Sequence, residues 1–145
     1  MSRSGFWPLV TGVCCMTAGI LPKDEDVAED RVLVNTEYDD VRTFIISSAA
    51  LGDIFAEKVR ALLVRGMARD LYDLWFLLGK GVEHDLELIN RKLTLYGRVY
   101  SHEDMIEGIA GLEQSWKRDL GALLGVDILF GTVAGYVVER LECVK

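Results

Sequence analysis

The sequence predicts an α+β protein, mainly α, in which a short antiparallel β element precedes a helical bundle. Three observations lead to this class. Residues 31–47 contain short runs rich in Val, Ile, Thr and Phe, which are typical of strands. From Ser48 onward, apolar residues recur every three or four positions, which is typical of helices. Finally, 50% of the 145 residues are hydrophobic and 27% are charged, which excludes disordered and collagen-like chains.

The β element is predicted to be a hairpin. Its strands are expected over residues 31–36 and 42–47, and residues 38–40 supply the turn between them. The stretch 22–40 is strongly acidic, so outside the first strand it is predicted to be a solvated linker or loop.

Five helices are predicted after the hairpin. Ser48 is the expected N-cap of the first helix, with Asp53 in its first turns, and Ser101 is the expected N-cap of the fourth. Most of the helices are expected to end at a glycine. Their approximate bounds are 49–65, 68–78, 85–96, 101–125 and 127–142.

Charge and cysteine content narrow the class of function. Sixteen basic against 23 acidic residues give a net charge of −7, so a globally basic nucleic-acid-binding protein is excluded, although a local basic site is not. Cys14 and Cys15 are adjacent and no C-x-x-C pair exists, which argues against a disulfide framework and a zinc site. His84 and His102 have no second ligand at metal spacing. Free thiols favour a reducing, cytoplasmic location.

The first 30 residues form an N-terminal arm of uncertain structure. Residues 6–21 are mostly apolar, so a secretory signal or a membrane anchor is one alternative. However, this stretch is shorter than the roughly 20 residues that span a bilayer, and it contains Pro8, Gly12 and Gly19. A buried strand pair or a poorly ordered arm is therefore favoured, and no membrane association is expected.

One segment, residues 56–75, concentrates charges that suit phosphate chemistry. Lys58 and Arg65 lie seven residues apart on one helical face, and Asp70 and Asp73 lie three apart on the next helix. Basic side chains of this kind hold phosphates, and a carboxylate pair can hold a metal, accept a proton or orient the basic residues. From the residues alone, a salt-bridge network inside the bundle is an alternative interpretation, and the simpler one.

The same segment resembles a known family. Residues 56–74 read A-E-K-V-R-A-L-L-V-R-G-M-A-R-D-L-Y-D-L, which is similar to the C-terminal signature of the AbiEii/AbiGii nucleotidyltransferase toxins. The resemblance covers about residues 43–142. It implies the C-terminal portion of a polymerase-β-like nucleotidyltransferase fold. It also implies a toxin of a toxin–antitoxin or abortive-infection system that uses Mg²⁺ and transfers a nucleotide from a nucleoside triphosphate to an acceptor such as tRNA.

The resemblance assigns roles to five residues. Lys58 matches the motif lysine that is expected to hold the triphosphate, and Arg65 is expected to make a second phosphate contact. Arg69, Asp70 and Asp73 match an R-D-x-x-D motif that is expected to complete the active site. The expected catalytic residues are thus Lys58, Asp70 and Asp73, and the expected nucleotide-binding residues are Lys58, Arg65 and Arg69.

The sequence departs from the family at its metal motif. The family carries a Gly-Ser turn followed by an Asp-x-Asp pair on a strand, and this chain has no such motif. The triplet 24–26 has the Asp-x-Asp spacing, but no Gly-Ser turn precedes it. No metal ligands are therefore predicted, and Mg²⁺ and a nucleoside triphosphate are expected from the resemblance only. Residues 31–145 are interpreted as a partial nucleotidyltransferase-like domain, and 1–30 as an unrelated or truncated start.

These observations leave three hypotheses. The first is a partial or degenerate nucleotidyltransferase toxin whose activity in isolation the sequence does not decide. The second is a non-catalytic helical module that self-associates or binds an antitoxin-like partner. The third is a small membrane-associated protein anchored by residues 6–21. An antitoxin, a second copy of the chain and tRNA are the partners that these hypotheses imply.

Overall fold

The computed structural model describes residues 28–35, 40, 42–124 and 128–142. These residues form two β-strands followed by six α-helices, which confirms the predicted α+β, mainly α class. The chain divides into two compact units, residues 1–50 and 51–145. The apolar stretch 6–21, the acidic triplet 24–26 and the three cysteines lie outside the described residues, so the predictions made for them stay predictions.

The predicted antiparallel pair of strands is present, but the strands are displaced, and residues 38 and 39 of the predicted turn lie outside the described residues. Strand β1 spans Glu29–Val34 and strand β2 spans Phe44–Ala49, with Glu29 opposite Ala49 and Val34 opposite Phe44. Each end of the ladder is fastened by side chains, because Ser47 Oγ donates to Glu29 Oε2 (3.2 Å) and Thr43 Oγ1 donates to Asn35 Oδ1 (2.7 Å). Cross-strand pairing thus extends β1 through two acidic residues whose own β-propensity is low.

The predicted N-cap at Ser48 is wrong. Ser48 lies in β2, where it pairs with Asp30, and the first helix begins only at Leu51. The backbone N–H of Ala50 donates to Ala28 O (2.7 Å), so the sheet hydrogen bonds continue to the very end of the hairpin. A serine that precedes a helical pattern can therefore belong to a strand when an opposing strand is available.

The second unit is a bundle of six helices. They are α1 Leu51–Arg65, α2 Ala68–Gly79, α3 Leu86–Thr94, α4 His102–Ala110, α5 Glu113–Leu124 and α6 Phe130–Glu142. All six contribute to one buried cluster, whose members include Phe55, Val59, Leu62, Leu71, Leu74, Ile89, Leu93, Met105, Ile109, Trp116, Val133 and Val137. In the described part of the chain, no helix is both long and apolar enough to cross a bilayer.

The connection between α1 and α2 consists of two residues. Gly66 adopts a positive φ of 61°, and its N–H donates to Leu62 O (3.0 Å), so α1 ends there. A left-handed residue at the end of a helix is a common way to reverse the chain, and glycine adopts it without the steric cost of a Cβ. Because Ala68 already begins α2, the last residues of α1 and the first of α2 are held close together.

The predicted fourth helix is in fact two helices. Helix α4 begins after Ser101, whose Oγ accepts from Asp104 N (3.2 Å), which confirms the predicted cap. It ends at Ala110, and α5 begins at Glu113. Gly111 lies at the break, where its low helix propensity makes a turn inexpensive. After the break, Trp116 Nε1 of α5 donates to Ile128 O (2.9 Å), just before α6.

Candidate functional site

The α1–α2 connection brings Lys58 of α1 against both aspartates of α2. Lys58 Nζ lies 2.6 Å from Asp73 Oδ2 and 3.5 Å from Asp70 Oδ1. Only 7% of the Lys58 side chain and none of the Asp70 side chain is exposed, whereas 18% of Asp73 is exposed. The ammonium group is therefore buried between two carboxylates, of which Asp73 is the one that reaches the surface.

Arg65 holds Asp70 from the other side. Its Nε donates to Asp70 Oδ2 (2.8 Å) and its Nη2 donates to Asp70 Oδ1 (2.7 Å), so the guanidinium grips both carboxylate oxygens. This two-point geometry is stronger and more specific than a single charged hydrogen bond. The Arg65 side chain is 47% exposed, so a cation stands at the surface directly above the buried carboxylate. Lys58, Arg65, Asp70 and Asp73 are called the charged cluster below.

The helical spacing of the sequence explains why the cluster is buried. Lys58 lies on the face of α1 that contains Phe55 and Leu62, three residues before it and four after it, and both of these are in the core. Asp70 precedes the buried Leu71 in the first turn of α2. A charge placed on a buried face requires a partner, because an isolated ion loses its hydration. The two helices supply two positive and two negative groups, so the cluster is neutral overall.

The environment changes the acidity of Asp73. Burial raises the pKa of the Asp73 carboxyl above its ordinary value, and the neighbouring Asp70 carboxylate acts in the same direction. The attraction and the hydrogen bond of Lys58 oppose this shift without cancelling it. Conversely, the hydrogen bonds to Asp70 raise the pKa of Arg65, which keeps that side chain cationic. The Asp73 carboxyl thus has an increased proton affinity, and 18% of its side chain is exposed to solvent.

Arg69 lies apart from the charged cluster. It is exposed and lines an open cleft of about 320 Å³ between α2 and α5. Gly66 and Met67 of the α1–α2 connection line the same cleft, as do three residues of α5: Ser115, Arg118 and Asp119. The structure therefore brings together Lys58, Arg65, Asp70 and Asp73 and places Arg69 on a neighbouring surface.

The sequence reasoning missed a second buried ion pair. Lys92 Nζ of α3 lies 3.3 Å from Asp53 Oδ1 of α1, and the two side chains are only 2% and 7% exposed. The sequence predicts Asp53 in the first turns of the first helix, and the structure shows it there, only 6% exposed and paired with a lysine of another helix. The sequence does indicate that Lys92 needs a partner, because this charged residue lies between Ile89 and Leu93 on the buried face of α3.

The charged cluster does not fit a divalent cation. Lys58 Nζ lies between the carboxylates of Asp70 and Asp73, and Arg65 occupies both oxygens of Asp70. Magnesium ions are held by free carboxylate oxygens, and here both oxygens of Asp70 and one oxygen of Asp73 already contact protein cations. Across the described residues, no group of three or more His, Cys, Asp or Glu side chains is arranged to hold a metal.

Comparison with known proteins identifies a family. A family model described as "Nucleotidyl transferase AbiEii toxin, Type IV TA system" matches residues 24–134. Compared with the predicted resemblance over residues 43–142, the matched span begins earlier, ends earlier and includes both strands of the hairpin. A search of curated proteins and a search of solved structures each found no match. Since the matched span covers most of the 145 residues, the chain belongs to the AbiEii nucleotidyl transferase toxin family.

Proposed function

We propose that the chain binds the triphosphate of a nucleoside triphosphate at the exposed edge of the charged cluster and serves nucleotidyl transfer to an acceptor such as tRNA. The observation that carries this proposal is the arrangement of Lys58, Arg65, Asp70 and Asp73 around one point. Membership of the AbiEii family supports the same chemistry. The half-exposed Arg65 provides the first contact for an arriving phosphate, since its guanidinium is fixed and always charged.

Lys58 is proposed to change partners when the nucleotide binds. Its ammonium is a compact charge on a flexible stem, so a phosphate oxygen can replace the carboxylate of Asp73. Asp70 keeps both cations in place, because it contacts Lys58 and Arg65 together. Released from Lys58, Asp73 has a still higher proton affinity, because an opposing cation has been removed.

In the transfer step, Asp73 is proposed to act as the general base. The acceptor hydroxyl oxygen forms a bond to the α-phosphorus, its proton passes to the Asp73 carboxylate, and the bond to the leaving pyrophosphate breaks. Nucleotidyl transfer generally needs a divalent metal ion to neutralise the phosphate charge, and the described residues do not offer its ligands. We therefore propose a partial or degenerate member, in which metal-binding carboxylates come from outside the described residues.

Nucleotide binding by the whole chain tests the proposal. Isothermal titration calorimetry would measure the dissociation constants of ATP, CTP, GTP and UTP with Mg²⁺. We expect Arg65→Ala to weaken binding by about tenfold, because one charge-assisted phosphate contact is lost. Lys58→Gln should weaken it at least as much. Arg91→Ala, which replaces an exposed arginine of α3, is the matched control and should leave nucleotide binding unchanged.

Two outcomes would decide against the proposal. If none of the four nucleotides binds the wild-type chain, the enzymatic function fails. If the variants bind as well as the wild type, the charged cluster is structural only. Circular dichroism at each temperature of measurement shows whether a variant is folded. If Lys58→Gln unfolds, Arg65→Ala still tests the proposal, because it removes only a half-exposed side chain.

A second function is favoured by one observation on the hairpin. Large apolar side chains of its two strands are exposed: Val32 42%, Leu33 61%, Phe44 45%, Ile45 65% and Ile46 41%. Two-stranded sheets of this kind present edges and apolar faces that seek partners. A non-catalytic module that binds an antitoxin or a second copy of itself is therefore the alternative proposal. Light scattering tests self-association, and a monomer at all concentrations would count against it.

The cellular setting is proposed from the family. Toxins of this class act within toxin–antitoxin pairs, which supports an antitoxin protein as a partner. Nucleoside triphosphates and tRNA are found in the cytoplasm, so we propose that the chain acts there. Co-purification of the chain with the product of a neighbouring gene tests the partner directly.

A further inference from the structure

The cleft between α2 and α5 has the composition of an anion-binding site. Its lining includes two arginines, Arg69 and Arg118, a hydroxyl group from Ser115 and one carboxylate, Asp119. Its volume of about 320 Å³ is in the range of small-molecule sites. Both arginines are exposed, and Arg118 is 77% exposed, so their guanidinium groups face solvent. In a chain with a net charge of −7, this cleft has a net lining charge of +1 from two arginines and one aspartate.

The guanidinium groups of the cleft have unused donors. The Nε of Arg118 donates to Asp119 Oδ1 (2.8 Å), and the two terminal nitrogens of Arg118 make no hydrogen bond in the described part of the chain. Arg69 makes no ion pair within the described residues, but its positive charge attracts the Asp119 carboxylate. The hydrogen bond from Arg118 lowers the pKa of Asp119, and the charge of Arg69 contributes to the same shift. The two arginines therefore flank one carboxylate from different helices.

We propose that the α2–α5 cleft binds a phosphate ester of a nucleotide, with Arg69 and Arg118 as its ligands and Ser115 as an additional hydrogen-bonding group. Planar guanidinium groups bind phosphate oxygens with two parallel hydrogen bonds, which makes arginine the side chain best suited to this ligand. The phosphate belongs either to a free nucleoside triphosphate or to the backbone of the acceptor RNA. This inference deepens the proposed function and rests on it, since it adds a second phosphate site beside the charged cluster.

The position of the cleft gives the two sites different roles. Gly66 and Met67 line the cleft, and Arg65 and Asp70 of the charged cluster flank them in sequence. The cleft and the cluster therefore share the α1–α2 connection. In the proposed transfer the acceptor hydroxyl reacts beside Asp73, so an RNA acceptor would bring its end to this connection and a neighbouring phosphate to the cleft. We accordingly expect the RNA backbone, and not the free nucleotide, to be the ligand of the cleft.

Binding measurements on the whole chain test the inference. Fluorescence anisotropy would follow a labelled single-stranded oligoribonucleotide of about six residues, and calorimetry would follow ATP without added metal. Arg118→Ala should weaken oligoribonucleotide binding by about tenfold through the loss of one charge-assisted contact. The control Arg91→Ala, an exposed arginine that is not among the cleft-lining residues, should have no such effect.

A second variant acts in the opposite direction. Asp119→Asn retains an acceptor for Arg118 Nε but removes the negative charge from the cleft, so oligoribonucleotide binding should tighten by several-fold. A merely structural role of the Arg118–Asp119 pair would not produce this gain. If both Arg118→Ala and Asp119→Asn bind the oligoribonucleotide and ATP as the wild type does, the inference is overturned. If only ATP binding responds, the cleft holds the free nucleotide.

Lys58→Gln separates the inference from the proposed function. If Lys58→Gln lowers nucleotide affinity while Arg118→Ala changes neither ligand, the cleft inference fails and the proposed function stands. If Arg118→Ala lowers oligoribonucleotide affinity while Lys58→Gln leaves nucleotide affinity unchanged, the cleft is a phosphate site and the proposed role of the charged cluster fails.

Discussion

Arg65 grips Asp70 through both carboxylate oxygens, at 2.8 and 2.7 Å, although the arginine is half-exposed and the aspartate is completely buried. The pair thus connects the interior of the bundle to its surface. Lys58 contacts the same aspartate from within, so Asp70 is the group on which both cations depend.

Asp70→Asn should destabilise the fold strongly. The substitution removes the negative charge that compensates Lys58 and Arg65 and leaves the lysine with Asp73 alone. Breaking a buried ion pair by removing one partner costs about 3–5 kcal/mol. Urea unfolding followed by circular dichroism measures the change, and Glu107→Gln on the exposed face of α4 is the control. If Asp70→Asn and the control lose the same free energy of unfolding within experimental error, the charged cluster contributes little to stability.

The Asp53–Lys92 pair should show a favourable coupling energy. Lys92→Met and Asp53→Ala each remove one member of the buried ion pair, whereas the double variant removes both charges. The double variant should therefore be less destabilised than the sum of the single variants, with a coupling of about 0.5–3 kcal/mol. A double-mutant cycle in urea measures it. If the effects of the two single variants are additive, the 3.3 Å contact has no measurable coupling energy.

Asp73 should make the stability depend on pH. Its folded-state pKa is raised above the ordinary value of 3.8, so over the window just above 3.8 the folded chain binds more protons than the unfolded chain. The contribution of Asp73 to stability is consequently complete below 3.8, falls as the pH rises through the raised pKa, and is constant above it. The difference in unfolding free energy between the wild type and Asp73→Asn reports this contribution directly.

The sign of that difference is the decisive observation. It should decline as the pH increases through the window above 3.8 and then become level. A difference that instead grows as the pH rises toward 3.8 and is level above it would mean that the attraction of Lys58 outweighs burial and lowers the pKa of Asp73. The general-base role proposed for this carboxylate would then lose its support.

Gly66→Ala should weaken both stability and nucleotide binding. The residue has a φ of 61°, where an L-residue with a Cβ costs about 1–2 kcal/mol. The strain also displaces Arg65 relative to Asp70, so the dissociation constant of the nucleotide should rise together with the loss of stability. Thermal unfolding and calorimetry measure the two effects on the same sample.

Gly121→Ala is the matched control for that substitution. Gly121 lies inside α5, and a Cβ there would make only an ordinary contact, 3.9 Å from Lys117 Cγ. Alanine in a helix interior is favoured over glycine by about 0.5–1 kcal/mol, so this variant should be more stable than the wild type. Equal effects of the two substitutions would argue against a conformational role of Gly66.

The sequence predicts well where local spacing decides the structure. The fold class and the antiparallel strand pair follow from hydrophobic periodicity and from runs of β-forming residues. The meeting of Lys58 with Asp70 and Asp73 follows from their places on two helices that a short turn joins. The family match supports the resemblance that residues 56–74 provide. The predicted roles of Lys58, Arg65, Arg69, Asp70 and Asp73 remain predictions that the binding experiments address.

The features that escaped prediction depend on partners distant in sequence. Ser48 is a strand residue because Asp30 lies opposite it, and a local reading of the serine cannot include that pairing. Lys92 is satisfied by Asp53, which lies on a different helix. The cleft that contains Arg69 is lined by residues of α5, which the structure separates from α4 at Gly111.

All four members of the charged cluster lie within residues 58–73, on two helices joined by a two-residue link. Contacts between residues so near in sequence close only short loops, and such contacts form early in folding. We therefore expect the cluster to assemble as soon as α1 and α2 dock, before the remaining helices cover it. In this chain, the residues proposed for chemistry would also form the nucleus around which the bundle folds.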